Sequence, residues 1–176
     1  ELHMPTDVAV TVYEALMAGG GVVNAGYRAI ETLRLEKGYR AWGADIGPDH
    51  TPVEAGLLWA CKMKSAVDFQ GRAALERQIA GGVNKRLAAF TVEDSSVILL
   101  GRETIYRNGE RVGWLSSGGF GHSINKPIGY GYVRHPGVDD AFMSSGSYEL
   151  EVAAERIPAR LHLQPLYDPT GARIKV

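Results

Sequence analysis

Apolar positions recur at helical spacing in the first half of the chain and at near-alternation in the second. Glu1–Met4 alternates polar and apolar residues and reads as the tail of a strand. Pro5-Thr6-Asp7 opens a helix, with Thr6 or Asp7 as its cap, and Val8, Val12, Ala15 and Leu16 form one apolar face. Gly19-Gly20-Gly21 ends that helix, and Val22-Val23 reads as a short buried strand or a lead-in to the next element. A second helix is expected from about Ala25 to Lys37, with Gly38 just past its end. Its stripe of Ala25, Ala29, Leu33 and Glu36 puts a carboxylate over the packing face, where an unpaired charge is costly. From the residues alone, Glu36 is either a ligand-binding group or half of an ion pair with Arg34, Lys37 or Arg40.

Residues 41–50 carry Gly43, Asp45, Gly47, Pro48 and Asp49, the chemistry of a loop. Thr51-Pro52-Val53-Glu54 is a capping box with proline at the first helical position. Leu57–Met63 reads as a buried strand, and a third helix follows from Arg72 to Ile79, stopped by Gly81-Gly82. The period then shortens to two. Strands are expected at Arg86–Val92, Val97–Leu100, Thr104–Arg107, Arg111–Leu115, Ile128–Val133, Tyr148–Ala153 and Ala159–Leu163. Asn108-Gly109 is the strongest hairpin signal. The fold class expected is α+β: residues 1–84 as an α/β layer, then residues 85–176 as a small barrel or sandwich.

Composition narrows the function. The 176 residues carry a formal charge of −1, which gives no electrostatic reason to expect nucleic acid or an anionic membrane as partner. No run approaches the roughly 20 apolar residues of a membrane span. Cys61 is the one cysteine, so no internal disulfide forms, and its apolar run marks it as a small buried hydrophobe. The five histidines lack metal-ligand spacing, and Ser116, Ser117 and Ser123 lack a nucleophile-elbow pattern. Gly118-Gly119-Phe120-Gly121-His122-Ser123 lies between strand-like segments with no helix start, so a turn with positive φ is a better reading than a phosphate loop. Asp139-Asp140 begins a solvated loop, and the basic residues are scattered.

Several blocks resemble the glycine-cleavage T-protein (aminomethyltransferase) superfamily: Leu33–Arg40, Trp42–Asp45, Thr51–Leu57, Asp68–Leu75, Tyr106–Gly113, Ser117–Phe120 and Asn125–Val133. The variant Glu36-Lys37-Gly38-Tyr39-Arg40-Ala41-Trp42, with Asn24–Ile30 before it, is similar to sarcosine and dimethylglycine dehydrogenases, in which a T-protein-like half follows an FAD-binding half. The Cys61–Ser65 and Asp168–Val176 segments are most similar to the sarcosine enzymes.

The resemblance implies the second half of the T-protein fold, ending in an antiparallel β-barrel, and a tetrahydrofolate site. It assigns the pterin to Glu36, since a carboxylate accepts the two parallel N–H donors of the pterin edge. It places Lys62 or Lys64, and Arg102, near the folate tail, with no catalytic residue on this chain. The catalytic aspartate and FAD are expected on a preceding part of a longer polypeptide, and the fragment alone is expected to be inactive. The compartment would be the cytoplasm in a bacterium or the mitochondrial matrix in a eukaryote. A stand-alone aminomethyltransferase and a non-catalytic regulatory or scaffold relative are the alternatives.

Overall fold

The computed structural model describes residues 1–175 and forms two compact units, Glu1–Ile30 and Glu31–Val176. In the first, a 3-10 turn at Thr6–Val8 leads into α1 (Ala9–Ala18), and neither carries a side-chain cap. No residue of α1 is fully buried, and Val8 and Leu16 of the expected apolar face are exposed. Tyr13 and Asn24 are joined through the tyrosine hydroxyl and the amide at 2.8 Å. Neither Glu1–Met4 nor Val22-Val23 is a strand, and both valines are exposed.

The helix α2 (Tyr27–Lys37) ends as its sequence predicts. Gly38 takes φ 73°, the Tyr39 N–H donates to Arg34 O at 2.8 Å, and the Gly38 N–H donates to Leu35 O at 3.2 Å. This double closure uses the left-handed conformation that glycine adopts without steric penalty. The packed face differs from the expected stripe: Leu35 and Glu36 are buried, whereas Leu33 is 61 % exposed. Thr51 and Glu54 form the expected reciprocal box at 3.0 and 3.2 Å, but it closes turns rather than a regular helix. Leu57–Met63 is not a strand; it contains a 3-10 turn at Leu58–Ala60 that leaves Trp59 exposed. Then comes α3 (Arg72–Gly81), followed by Gly82 at φ 76°.

Six strands close an antiparallel barrel: β1 (Lys85–Val92), β2 (Thr104–Arg107), β3 (Glu110–Gly121), β4 (Lys126–Arg134), β5 (Tyr148–Val152) and β6 (Glu155–His162). Their order around the barrel is β1-β4-β3-β2-β5-β6. Asn108 and Gly109 turn β2 into β3 with φ 51° and 84°, the pair of positive angles that a two-residue hairpin favours. Val97–Leu100 is an irregular connection and not a strand. Asp139-Asp140 is not a simple loop either: the Asp139 carboxylate accepts the Phe142 N–H at 2.7 Å and caps a short helix, α4 (Asp140–Ser144).

Alternation divides β1 between two apolar layers. Ala88, Phe90 and Val92 fill the barrel with Leu99, Ile105, Leu115, Val133 and Leu150. Leu87 and Ala89 point the other way and pack with Tyr130, Tyr132, Ile128 and Leu35 of α2. β1 is therefore buried over most of its length, which is why its sequence reads as a nearly continuous apolar run.

The glycine-rich motif has a different cause from the one expected. Gly118, Gly119 and Gly121 lie inside β3, and none has positive φ. They are small because other parts of the chain approach their backbone. A Cβ at Gly119 would sit 2.8 Å from Leu35 Cδ1, and one at Gly121 3.1 Å from Glu36 Oε1. At Gly118 it would meet the Leu99 carbonyl carbon at 2.6 Å and the Gly101 nitrogen at 2.7 Å. Backbone cannot yield as a side chain does, so Gly118→Ala is expected to destabilise by about 2–3 kcal/mol, read from the shift of a urea midpoint.

His162 gives the barrel an acid sensitivity. Its Nε2 lies 2.9 Å from Thr91 Oγ1, and burial, helped by the Arg160 and Lys126 cations against the opposing Glu93, lowers its pKa below the ordinary 6.5. The unfolded chain takes up this proton more readily. The contribution of neutral His162 is thus complete above about pH 6.5 and declines as pH falls toward its folded pKa. Urea midpoints should fall on acidification through this window, and His162→Gln should remove that part of the slope.

Candidate functional site

The polar centre of the second unit is Asp45, which sequence reading placed only in a loop. Its side chain is 1 % exposed, between α2 and the barrel strands β3 and β4. Oδ1 accepts the Ser116 hydroxyl at 2.5 Å and the Ser117 hydroxyl at 2.7 Å. Oδ2 accepts the Ala41 N–H at 3.0 Å and pairs with the Arg34 guanidinium. Arg34 also donates to Glu31 at 2.9 Å, to Ser117 Oγ at 2.8 Å and to Tyr39 O at 3.4 Å. Above it, the Tyr132 hydroxyl donates to Asp45 O at 2.9 Å. Burial, reinforced by the nearby Asp45 carboxylate, raises the Tyr132 pKa, so the phenol remains a donor. Burial likewise pushes Tyr130 up to about 12.

These bonds fix the loop after α2. The Asp45 and Ile46 N–H groups both donate to Ala41 O, and the Gly43 N–H donates to Ile46 O at 2.8 Å. Arg40 donates to Ala55 O at 3.0 Å and to Gly38 O, tying the loop to the capping-box segment. Tyr39 and Trp42 nevertheless point outward, at 57 % and 73 % exposed.

Glu36 is 2 % exposed, and both its oxygens are used inside the protein. Oε1 accepts the N–H groups of Ser123 at 2.6 Å and Ile124 at 3.3 Å, and Oε2 accepts the Ser123 hydroxyl at 2.9 Å. Its backbone carbonyl accepts from Leu166 at 3.1 Å and Tyr167 at 3.0 Å. One residue thus holds the β3–β4 turn and the segment after β6 against the end of α2. The ion-pair alternative is not what forms: Arg34 serves Asp45 and Glu31, Arg40 serves carbonyls, and Lys37 pairs with Asp168 at 2.7 Å. The Lys37 bond, with two backbone N–H donors, lowers the Asp168 pKa below its ordinary value.

The other three residues assigned by resemblance sit elsewhere. Lys62 and Lys64 are exposed on the rim of a groove of about 730 Å³ lined by Leu58, Trp59, Cys61, Met63 and Ile79. Cys61 is half-buried on that wall, more open than its apolar context suggests. Arg102 is exposed on the β1–β2 connection with φ 85°, its N–H donating to Leu115 O at 2.7 Å. Glu36 is thus buried at the end of α2, whereas the two lysines and Arg102 are exposed. Among the described residues no group of three or more His, Cys, Asp or Glu could hold a metal ion, and no helix is long and apolar enough to cross a membrane.

Comparison with known proteins accounts for both halves of the chain. The family model of the GCVT N-terminal domain matches residues 1–65, and that of the glycine cleavage T-protein C-terminal barrel domain matches residues 85–168. The chain is 48 % identical to human mitochondrial sarcosine dehydrogenase over 99 % of its own length and 20 % of that protein's. It is 34 % identical to human mitochondrial dimethylglycine dehydrogenase over 99 % of its length and 20 % of the relative's. It therefore spans about a fifth of the length of these curated relatives. Among solved structures, the glycine cleavage system aminomethyltransferase T from Bartonella henselae superposes with a TM-score of 0.78 at 26 % identity, over 94 % of this chain and 45 % of that one. A closed barrel preceded by the Asp45-centred layer, joined to these similarities, makes the chain a member of the glycine cleavage T-protein family, a T-protein-like region of the kind found in sarcosine and dimethylglycine dehydrogenases.

Proposed function

We propose that this chain is the tetrahydrofolate-binding part of an oxidative N-demethylase. The observation that carries the reading is a conjunction: an aminomethyltransferase fold whose sequence is 48 % identical to a sarcosine dehydrogenase. In this reading an FAD-bearing part of the same polypeptide or complex takes two electrons from an N-methyl amine and leaves an iminium carbon. Tetrahydrofolate nitrogens bond to that carbon as the amine departs, giving 5,10-methylenetetrahydrofolate. Holding the acceptor where the carbon emerges replaces a bimolecular encounter by a positioned one. Residues 1–84 serve as the folate-binding portion and 85–176 as the barrel. The compartment is the matrix if the source is eukaryotic and the cytoplasm if bacterial.

The residues fit a folate unevenly. The groove with Lys62 and Lys64 presents two cations suited to the carboxylates of the folate tail, and Arg102 offers a third on a separate loop. Glu36 does not offer a free carboxylate, because a pterin edge would have to displace Ser123 from a nearly inaccessible site. Its part in this reading is to hold the β3–β4 turn in place. Titration of tetrahydrofolate into the natural full-length protein tests the proposal. Saturable binding should raise the unfolding free energy by about 2.7 kcal/mol at a hundredfold excess over Kd. Absence of saturable binding would exclude it and leave a regulatory or scaffold relative as the reading.

A further inference from the structure

Helix α1 has the sequence of an interior helix and the surroundings of a surface one. Beyond the Tyr13 hydroxyl, its polar side chains are Thr11 and Glu14, which lie three apart on one narrow stripe. Apolar positions take the rest of the circumference, a pattern that belongs in a core, and ten residues are too few to cross a bilayer. Yet none of them is buried, and Val10, Tyr13 and Leu16 are all exposed. Ala9, Val12, Tyr13 and Leu16, at i, i+3, i+4 and i+7, line one groove of about 380 Å³ that Leu2 and Met4 also line. Glu1–Met4 alternates polar and apolar residues as a strand does, but no strand among the described residues pairs with it.

Two features of the fold name the occupant of this groove. The barrel is closed, so it has no edge at which further strands could pair, whereas the first unit offers an unburied helix and an unpaired strand-like segment. The superposed region is 45 % of the Bartonella aminomethyltransferase, so more than half of that chain lies outside it. We infer that, in the natural protein, a β-sheet from the part of the T-protein fold outside this chain covers the groove. It pairs with Glu1–Met4 and packs its apolar side against Val12, Tyr13 and Leu16. A second copy of this chain would bring only another four-residue strand, and a two-stranded ribbon is marginal in water. Folate plays no part in this contact.

The test uses the natural full-length protein carrying Leu2→Cys or Leu16→Cys, with N-ethylmaleimide as probe. Alkylation, read by mass spectrometry on the peptide that holds each position, should be at least about a hundredfold slower than in urea. In the wild-type protein, which needs no substitution, at least one amide of Leu2–Met4 should exchange more slowly by a similar factor, as strand pairing requires. Both kinds of protection should persist on dilution through the concentration at which any oligomer dissociates. A smaller slowing in both variants, or no protected amide in Leu2–Met4, would overturn the sheet. Protection lost on dilution would overturn it in favour of a second copy.

Discussion

Replacing Asp45 by alanine is expected to cost about 3–5 kcal/mol of stability, the largest single effect in this chain. Removing one member of a buried ion pair leaves the other without compensation. Arg34 would keep Glu31 and Ser117 but lose its nearest anion, while the Ser116 and Ser117 hydroxyls and the Ala41 N–H would lose their common acceptor. For a domain of this size the loss corresponds to a fall in Tm on the order of 10 °C. Asp45→Asn should recover part of that loss, because its oxygen can still accept from Arg34 and the Ala41 N–H while its nitrogen faces hydroxyls that can accept, leaving the missing charge opposite Arg34 as the main cost. A double-mutant cycle with Arg34→Met should show coupling of at least about 1 kcal/mol between the two. Additive losses would mean that the pair is not the organising contact.

Glu36→Ala is the second large effect, expected at about 3–4 kcal/mol, because charge-assisted hydrogen bonds to the β3–β4 turn are lost and a cavity opens beneath Gly121. Glu36→Gln separates two roles that alanine confounds. The amide oxygen of glutamine can accept the Ser123 and Ile124 N–H groups while its nitrogen donates to the Ser123 hydroxyl, so the fold should lose only about 1 kcal/mol. A pterin edge, by contrast, presents donors that glutamine cannot accept in parallel. If Glu36 acts through the turn, Glu36→Gln should leave folate affinity within about twofold of wild type. A loss beyond tenfold with an intact fold would show that the turn opens and the carboxylate meets the pterin.

The parts of this fold that were legible in the sequence are those written in adjacent residues. Gly38 ends a helix, Asn108-Gly109 turns a hairpin, and Thr51 and Glu54 cap each other, because each signal needs partners only a few positions away. The barrel was legible from the change of period after Lys85. Leu57–Met63 was misread as a strand because a short apolar run has the same composition in a 3-10 turn.

The site was far less legible. Asp45 looks like any loop aspartate until the strand carrying Ser116 and Ser117, more than seventy positions on, is folded against it. The glycines of β3 resembled a turn because the Leu35, Glu36 and Leu99 atoms that crowd them belong to other elements. Glu36 is buried although the rest of the stripe that suggested it is not, and periodicity has no means of saying that the β3–β4 turn would claim both of its oxygens.

In the folate-binding reading proposed above, this fold holds the acceptor of a one-carbon unit. The most direct measurement is the fate of the methyl carbon during turnover of the natural full-length protein with sarcosine or dimethylglycine, with and without saturating tetrahydrofolate. Folate is expected to divert the carbon from formaldehyde to 5,10-methylenetetrahydrofolate within the enzyme, even with a formaldehyde trap in solution. An unchanged yield of trapped formaldehyde at saturating folate would contradict it.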